Sequence, residues 1–293
     1  MTAAEQPLVF DCAGDALVGV LALPPSGCPA SDLGVLIVVG GPQYRAGSHR
    51  QYVRLARVLA GDGHAVLRFD VRGMGDSEGE ARSFEALDDD IEAAVAALRA
   101  NAPQVRRIVL WGLCDGASAA LLHCARRRPR GLAGLCLVNP WLRSEQSRAR
   151  TQFRVYYRQR LLQPAFWRKL LSGGVAVRAV RDLWANLRAS VVRRDTARAG
   201  GGPASTDFRV AMAQGWHGFD GPILLVLCGE DFTAREFLEG VATLPPWGGA
   251  LTRPGVLRLD VPGADHTFSS SSARDAVEHQ VRRWLDSLRR TPD

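Results

Sequence analysis

The sequence predicts an α/β fold: a mostly parallel central sheet with flanking helices, interrupted by a helical insert. Three observations carry this. Short apolar runs alternate with helical patterns over most of the chain. The composition is globular, with 46% hydrophobic against 23% charged residues in 293. The positive charge is gathered in one segment: the net charge is +7, yet residues 143–194 hold thirteen basic side chains against Glu145 and Asp182, a local +11. The remaining body, residues 1–140 and 218–293, is then mildly acidic, and residues 141–217 form a basic insert.

Residues 7–12 and 16–23, separated by Ala13, Gly14 and Asp15, read as an opening hairpin. A strand follows in 33–40, a helix in about 50–60 and a strand in 65–70. The next helix, about 84–99, carries Glu85, Asp88, Asp89 and Asp90 in its first half, where the helix dipole favours negative charge. A strand in 107–111, a helix in about 115–127 and a strand in 132–138 come before the insert. After it the alternation resumes, with strands in 223–227 and 256–261 and helices in 234–242 and about 273–288. The insert reads as two helical stretches, 143–162 and 175–194, and an excursion at that place in such a topology lies over the carboxyl ends of the strands, as a lid.

Several classes are excluded or disfavoured. The apolar stretch 33–42 is about half of what a membrane-spanning helix needs. The first fifteen residues carry Glu5, Asp11 and Asp15 with no basic or apolar leader segment, so a cytoplasmic address is expected. Six cysteines without a C-x-x-C pair imply reduced thiols and no zinc site. Neither a metal nor an organic cofactor is called for. Although basic, the chain carries no recognised nucleic-acid module, so nucleic acid is not an expected partner.

The strongest chemical signal is Gly112-Leu113-Cys114-Asp115-Gly116, a G-x-C-x-G sequence that joins a predicted strand directly to a predicted helix. A nucleophile on so sharp a turn needs neighbours without bulk two positions away on either side. The helix start supplies free N–H groups for a developing oxyanion; the alternative reading is a buried, inert thiol. Gly75-Asp76-Ser77-Glu78-Gly79 fits the serine version of the pattern, but it lies several residues past its strand and leads into no helix, so it reads as a structural loop. His266, on the loop after the last strand, is the candidate base, and Asp231, ending the strand before, is the group that would orient it; Glu230 is the alternative acid. The order Cys, Asp, His along the chain suits such a triad. The oxyanion donors are the N–H of Asp115 and that of Gly41, with Gln43 as the alternative, since Pro42 has no N–H.

These segments resemble the α/β-hydrolase superfamily over essentially the whole chain. The resemblance rests on the opening hairpin, Gly40-Gly41-Pro42, the loop Asp70-x-Arg72-Gly73-x-Gly75-x-Ser77-x-Gly79, the sharp turn at Cys114, the insert, Asp231 and His266. More narrowly, Gly41-Pro42-Gln43-Tyr44-Arg45, Trp111-Gly112-Leu113-Cys114-Asp115 and the segment from Asp231 to Phe237 resemble the exosortase A system-associated hydrolases, type 1 branch. That resemblance implies an α/β-hydrolase fold and a setting linked to exosortase, PEP-CTERM sorting and exopolysaccharide; the Cys-His-Asp triad is read from the residues, and its cysteine suits an ester or thioester, by hydrolysis or by transfer of the acyl group, over an amide. The expected substrate is a small or lipid-like acyl compound. Two departures are the cysteine itself and Val39, where a histidine commonly precedes the glycine pair. The arginines of the insert suit a solvated lid face, or an anionic partner such as the headgroups of the inner membrane surface. The non-enzymatic alternative is a catalytically silent binding or scaffold protein on the same fold.

Overall fold

The computed structural model describes residues 3–41, 43–142 and 207–289. They belong to one compact unit. The two helical stretches expected in 143–194, and the lid they would form, lie outside the described residues.

The opening hairpin is β1 (Ala4–Cys12) and β2 (Asp15–Leu23), with Ala13 and Gly14 at positive φ in the turn. Then come β3 (Leu33–Val38), α1 (Gln51–Gly61), β4 (Val66–Phe69), α2 (Asp88–Asn101), β5 (Arg107–Leu113), α3 (Asp115–Arg127) and β6 (Leu132–Val138). The second part holds α4 (Phe208–Gly218), β7 (Ile223–Cys228), α5 (Phe232–Thr243), β8 (Val256–Val261) and α6 (Ser271–Arg289). The eight strands make one sheet in the order β1-β2-β4-β3-β5-β6-β7-β8, antiparallel in the pairs β1–β2 and β2–β4 and parallel from β4 onward.

The inner parallel strands β3 to β7 are buried on both faces, which is why they read as continuous apolar runs rather than as alternating patterns. Alternate residues feed two cores. Leu36, Val38 and Leu110 face α2, α3, α4 and α5. Val35, Ile37, Val109 and Trp111 face α1 and α6. Among the described residues no helix is long and apolar enough to cross a membrane.

Two sequence expectations need correction. The helix expected from residue 84 begins as a short 3-10 turn, Phe84–Ala86, and α2 proper starts at Asp88, so Asp88, Asp89 and Asp90 occupy its first turn. Placing the end of the insert at 217 was too late. Helix α4 belongs to the body, which resumes at Asp207, and it buries Ala211, Met212, Ala213 and Trp216. Asp207 caps it, its carboxylate accepting from the Arg209 N–H at 3.0 Å.

Helix α4 packs on α3 so closely that a Cβ at Gly215 would lie 2.0 Å from the Leu121 carbonyl oxygen, whereas one at Gly218 would meet nothing within 4 Å. Gly215→Ala is therefore expected to lower stability by about 1–3 kcal/mol. Gly218→Ala, in the same helix, is expected to be neutral or mildly stabilising. Urea unfolding of the two variants checks the pair.

Candidate active site

Because β3 and β5 to β8 run parallel, the segments leaving their carboxyl ends gather on one edge of the sheet. Cys114 follows β5, Asn139 follows β6, Asp231 follows β7 and His266 follows β8, with Gly40 and Gly41 on the other side after β3. The ladder carries on into these segments: the Cys114 N–H donates to Val138 O at 2.9 Å, and the Asn139 N–H to Val226 O at 2.9 Å.

Cys114 stands at φ 55° and ψ −119°, outside the regions an L-residue ordinarily occupies, and the next residue opens α3. The glycines explain how this turn fits. A Cβ at Gly112 would sit 2.5 Å from Ala117 N, one at Gly116 would sit 2.2 Å from Val38 O, and one at Gly40 would sit 2.0 Å from Gly116 N. Strand β5, the start of α3 and the loop after β3 are thus in backbone contact. That contact brings Gly41 beside Asp115: a Cβ on Gly41 would lie 3.6 Å from Asp115 Oδ2.

The expected oxyanion donors are separated by this geometry. The Gln43 N–H is turned into its own loop, where it donates to Gly41 O at 2.8 Å, which disfavours it as a donor to substrate. The Asp115 N–H, next to the Cys114 sulfur, favours the thiolate. The loop itself is clamped at Arg45, whose N–H donates to Asp70 Oδ1 at 2.6 Å and whose guanidinium pairs with Asp70 and Asp76. Tyr52, buried edge-on to Trp111, donates its hydroxyl to Gln43 Oε1 at 3.1 Å.

On the far side, His266 Nδ1 lies 2.6 Å from Asp231 Oδ2. This hydrogen bond to the carboxylate, outweighing burial, raises the His266 pKa above its ordinary value. Asp231 also caps α5, its Oδ1 accepting from the Thr233 N–H at 2.8 Å. Its competitor Glu230 is exposed and sits 4.0 Å from Arg235. The loop bearing His266 is tied by Asp265, which accepts from the N–H groups of Thr267 and Ser269 and from both their hydroxyls.

Sequence reasoning missed Asn139. It is fully buried at φ 44°, donates from Nδ2 to Asp231 Oδ2 at 2.6 Å, and accepts the Cys228 N–H on Oδ1 at 2.9 Å. It thereby fastens the carboxylate to the end of β7. A lone polar residue ending a buried apolar strand was the available signal.

The Cys114 thiol is pushed up in pKa by burial first and by the neighbouring Asp115 carboxylate second, and its Sγ lies 3.7 Å from Asp115 Oδ1. The charge of Asp231 acts on Cys114 in the same direction, and that of Asp115 helps to raise the His266 pKa, so the two halves of the site share one electrostatic field. Of the six cysteines only Cys28 and Cys114 are not buried. Ser77 has both hydrogen-bonding functions engaged, donating to Asp70 O at 2.7 Å and accepting from the Val18 N–H at 2.9 Å, as befits a structural pin. His64 and His123 are buried in the body. Among the described residues no group of three or more histidine, cysteine, aspartate or glutamate side chains could hold a metal ion.

Removing the charge of Asp231 leaves burial as the dominant influence on the imidazole. Asp231→Asn is therefore expected to bring the His266 pKa below 6.5, followed by NMR titration, while Glu230→Gln leaves it unchanged. A shift produced by Glu230→Gln instead would reverse the assignment of the acid.

The sequence pattern of the Alpha/beta hydrolase family matches residues 35–280. A search of the curated proteins returns no match. Among solved structures, the chain is similar to the Pyrococcus furiosus esterase Pf2001, at 16% identity over 98% of this chain and 93% of that one, with a TM-score of 0.64. It is also similar to Est1E from Butyrivibrio proteoclasticus, solved with ferulic acid bound, at 16% identity over 96% and 98% and a TM-score of 0.60. A third is XC6422 from Xanthomonas campestris, described as a serine hydrolase without a lid, at 18% identity over 96% and 94% and a TM-score of 0.55. With its sheet order, its sharp turn after β5 and a family match that spans most of its length, the chain belongs to the alpha/beta hydrolase family.

Proposed function

We propose that this chain is an acyl hydrolase in which Cys114 is the nucleophile, His266 the base, Asp231 the group that orients it, and the N–H groups of Gly41 and Asp115 the oxyanion donors. The observation that carries the reading is the strained backbone of Cys114 between β5 and α3, on the same sheet edge as a histidine already bonded to a buried carboxylate. With Nδ1 engaged by Asp231, Nε2 is the ring nitrogen left for proton transfer. The thiol proton passes to Nε2 as sulfur attacks the acyl carbon; the imidazolium then protonates the leaving alcohol or thiol. The thioester left on Cys114 is released to water, or to an acceptor if the enzyme transfers the group.

The substrate is an ester or thioester rather than an amide. The collapsing intermediate must expel its leaving group in preference to the cysteine sulfur, and an amine leaves only after protonation. Pf2001, similar in fold, is an esterase, which agrees with this class. The finer placement, among the exosortase A system-associated hydrolases, rests on the segments around Gly41, Cys114 and Asp231 alone. A cytoplasmic protein touching an anionic inner membrane surface through the +11 insert completes the proposal. Vesicles with anionic lipid are expected to sediment the protein at low salt and neutral ones are not; equal behaviour removes the membrane.

Cys114→Ala is expected to lower kcat on short activated acyl esters by about 10³-fold or more. Full turnover in that variant would end the assignment of Cys114 as the nucleophile. Since the base works only when neutral, kcat/KM should rise with pH through the raised His266 pKa, with its midpoint above 6.5. Asp115→Asn, by removing the adjacent negative charge, should speed iodoacetamide labelling of Cys114 at neutral pH by roughly 3- to 10-fold and leave Cys28 unaffected, as read by mass spectrometry.

A further inference from the structure

The sheet has two open edges, and they differ. Strand β1 forms one, and it carries Pro7, which has no N–H to offer a neighbouring chain. Strand β8 forms the other and pairs with β7 on one side only. The Ile223 N–H donates to Gly255 O at 2.9 Å and the Gly229 N–H to Val261 O at 3.0 Å, so residues 255, 257, 259 and 261 turn their main-chain groups toward β7. Arg258 and Asp260 therefore direct both N–H and C=O off the open edge, where among the described residues nothing bonds to them. Their side chains share one face of the sheet. Leu257 and Leu259 share the other, where Leu259 and Val261 pack on the core covered by α1 and α6 while Leu257 stays 43% exposed.

We propose that β8 pairs with β8 of a second copy of this chain, antiparallel, about a two-fold axis at Leu259. Charge selects the register. Only residues with outward main-chain groups can exchange hydrogen bonds across the edge, so the axis must pass through a residue and not between two. An axis at Arg258 sets that arginine against its own copy. An axis at Asp260 sets carboxylate against carboxylate and brings Arg258 opposite Pro262, which has no N–H. Like charges directly opposite oppose pairing. An axis at Leu257 sets Arg258 against Val256, whose N–H is already given to Arg253 O at 3.3 Å. The axis at Leu259 alone matches Arg258 with Asp260 of the second copy, and Asp260 with its Arg258.

In that register the two matched pairs exchange both their N–H···O=C bonds, and the sheet runs on from one copy into the next. Within one chain the Arg258 guanidinium already lies on the Asp260 carboxylate at 2.7 Å, so both side chains are arranged along the strand before they meet a partner. Pairing then makes a square of four charges that alternate in sign. On the other face the two Leu259 side chains meet, and Leu257, exposed in the single chain, comes opposite Val261 of the second copy. The surface stands on strand geometry, whether or not Cys114 is a nucleophile.

Sedimentation velocity of the full chain over a series of concentrations provides the test, with circular dichroism to show that each variant is folded. The expected result is a reversible monomer–dimer equilibrium. Arg258→Asp and, separately, Asp260→Arg set like charges opposite one another and are expected to weaken the dimer by about 5-fold or more. The double variant Arg258→Asp/Asp260→Arg restores opposite signs and is expected to recover the wild-type affinity to within about 3-fold. Arg258→Pro removes an N–H that β7 does not use, and is expected to leave the chain folded and monomeric. A wild-type chain that is monomeric throughout overturns the proposal. So does a dimer that the single charge reversals or Arg258→Pro leave unchanged, and a folded double variant that fails to recover pairing overturns the register.

Discussion

The structure depends on a backbone contact: three peptide segments meet at the end of β5 with no side chain between them. Gly40, Gly112 and Gly116 each lie where a Cβ would fall within 2.0 to 2.5 Å of a neighbouring backbone atom. That approach lets the chain reverse from strand to helix in one residue and holds Cys114 at a positive φ that costs about 1–3 kcal/mol. The strain persists because buried β3, β5 and β6 flank the turn and continue their hydrogen bonding into it. From the same contact comes the nearness of Gly41 to the helix start.

Two carboxylates then act on the site, each chiefly on a different group. Asp231, held by Asn139 and by the start of α5, raises the proton affinity of His266 and fixes which ring nitrogen faces outward. Asp115, beside the thiol, opposes its ionisation, as burial does. Together they favour a neutral thiol that loses its proton during attack over a thiolate formed in advance. In the proposed reaction the imidazole is therefore a true general base.

Most of the architecture was legible because parallel strands buried on both faces announce themselves as apolar runs between turns, and because helix starts and glycine pairs punctuate them. The boundaries of β8 and α3 agree with their reading from sequence, while strands such as β5 run on further because the ladder with β6 extends to Val138. The sharp turn was legible from Gly112 and Gly116, and Ser77 could be set aside from its context alone. Two features were not legible. Helix α4 follows a long arginine-rich and glycine-rich stretch, so its apolar face appeared to belong to the insert, and only packing against α3 assigns it to the body. Asn139 belongs to no motif. Its role arises from a carboxylate 92 residues away in the chain, a relation set by strand order and not by local sequence.

The same electrostatics bear on why a sulfur nucleophile could serve on a scaffold whose similar structures include a serine hydrolase. The fold prescribes a position and leaves the atom there open. In a tetrahedral intermediate built on cysteine, an ordinary thiolate departs more readily than an alkoxide, so the adduct tends to fall back to substrate. Burial and the Asp115 carboxylate disfavour the Cys114 thiolate, and a disfavoured thiolate is a poorer leaving group. Attack becomes harder, but collapse toward product becomes easier once His266 protonates the departing oxygen. On the proposed reaction, the carboxylate next to the nucleophile is thus a compromise between the two steps, and it narrows the substrates to acyl groups whose leaving partner is already activated.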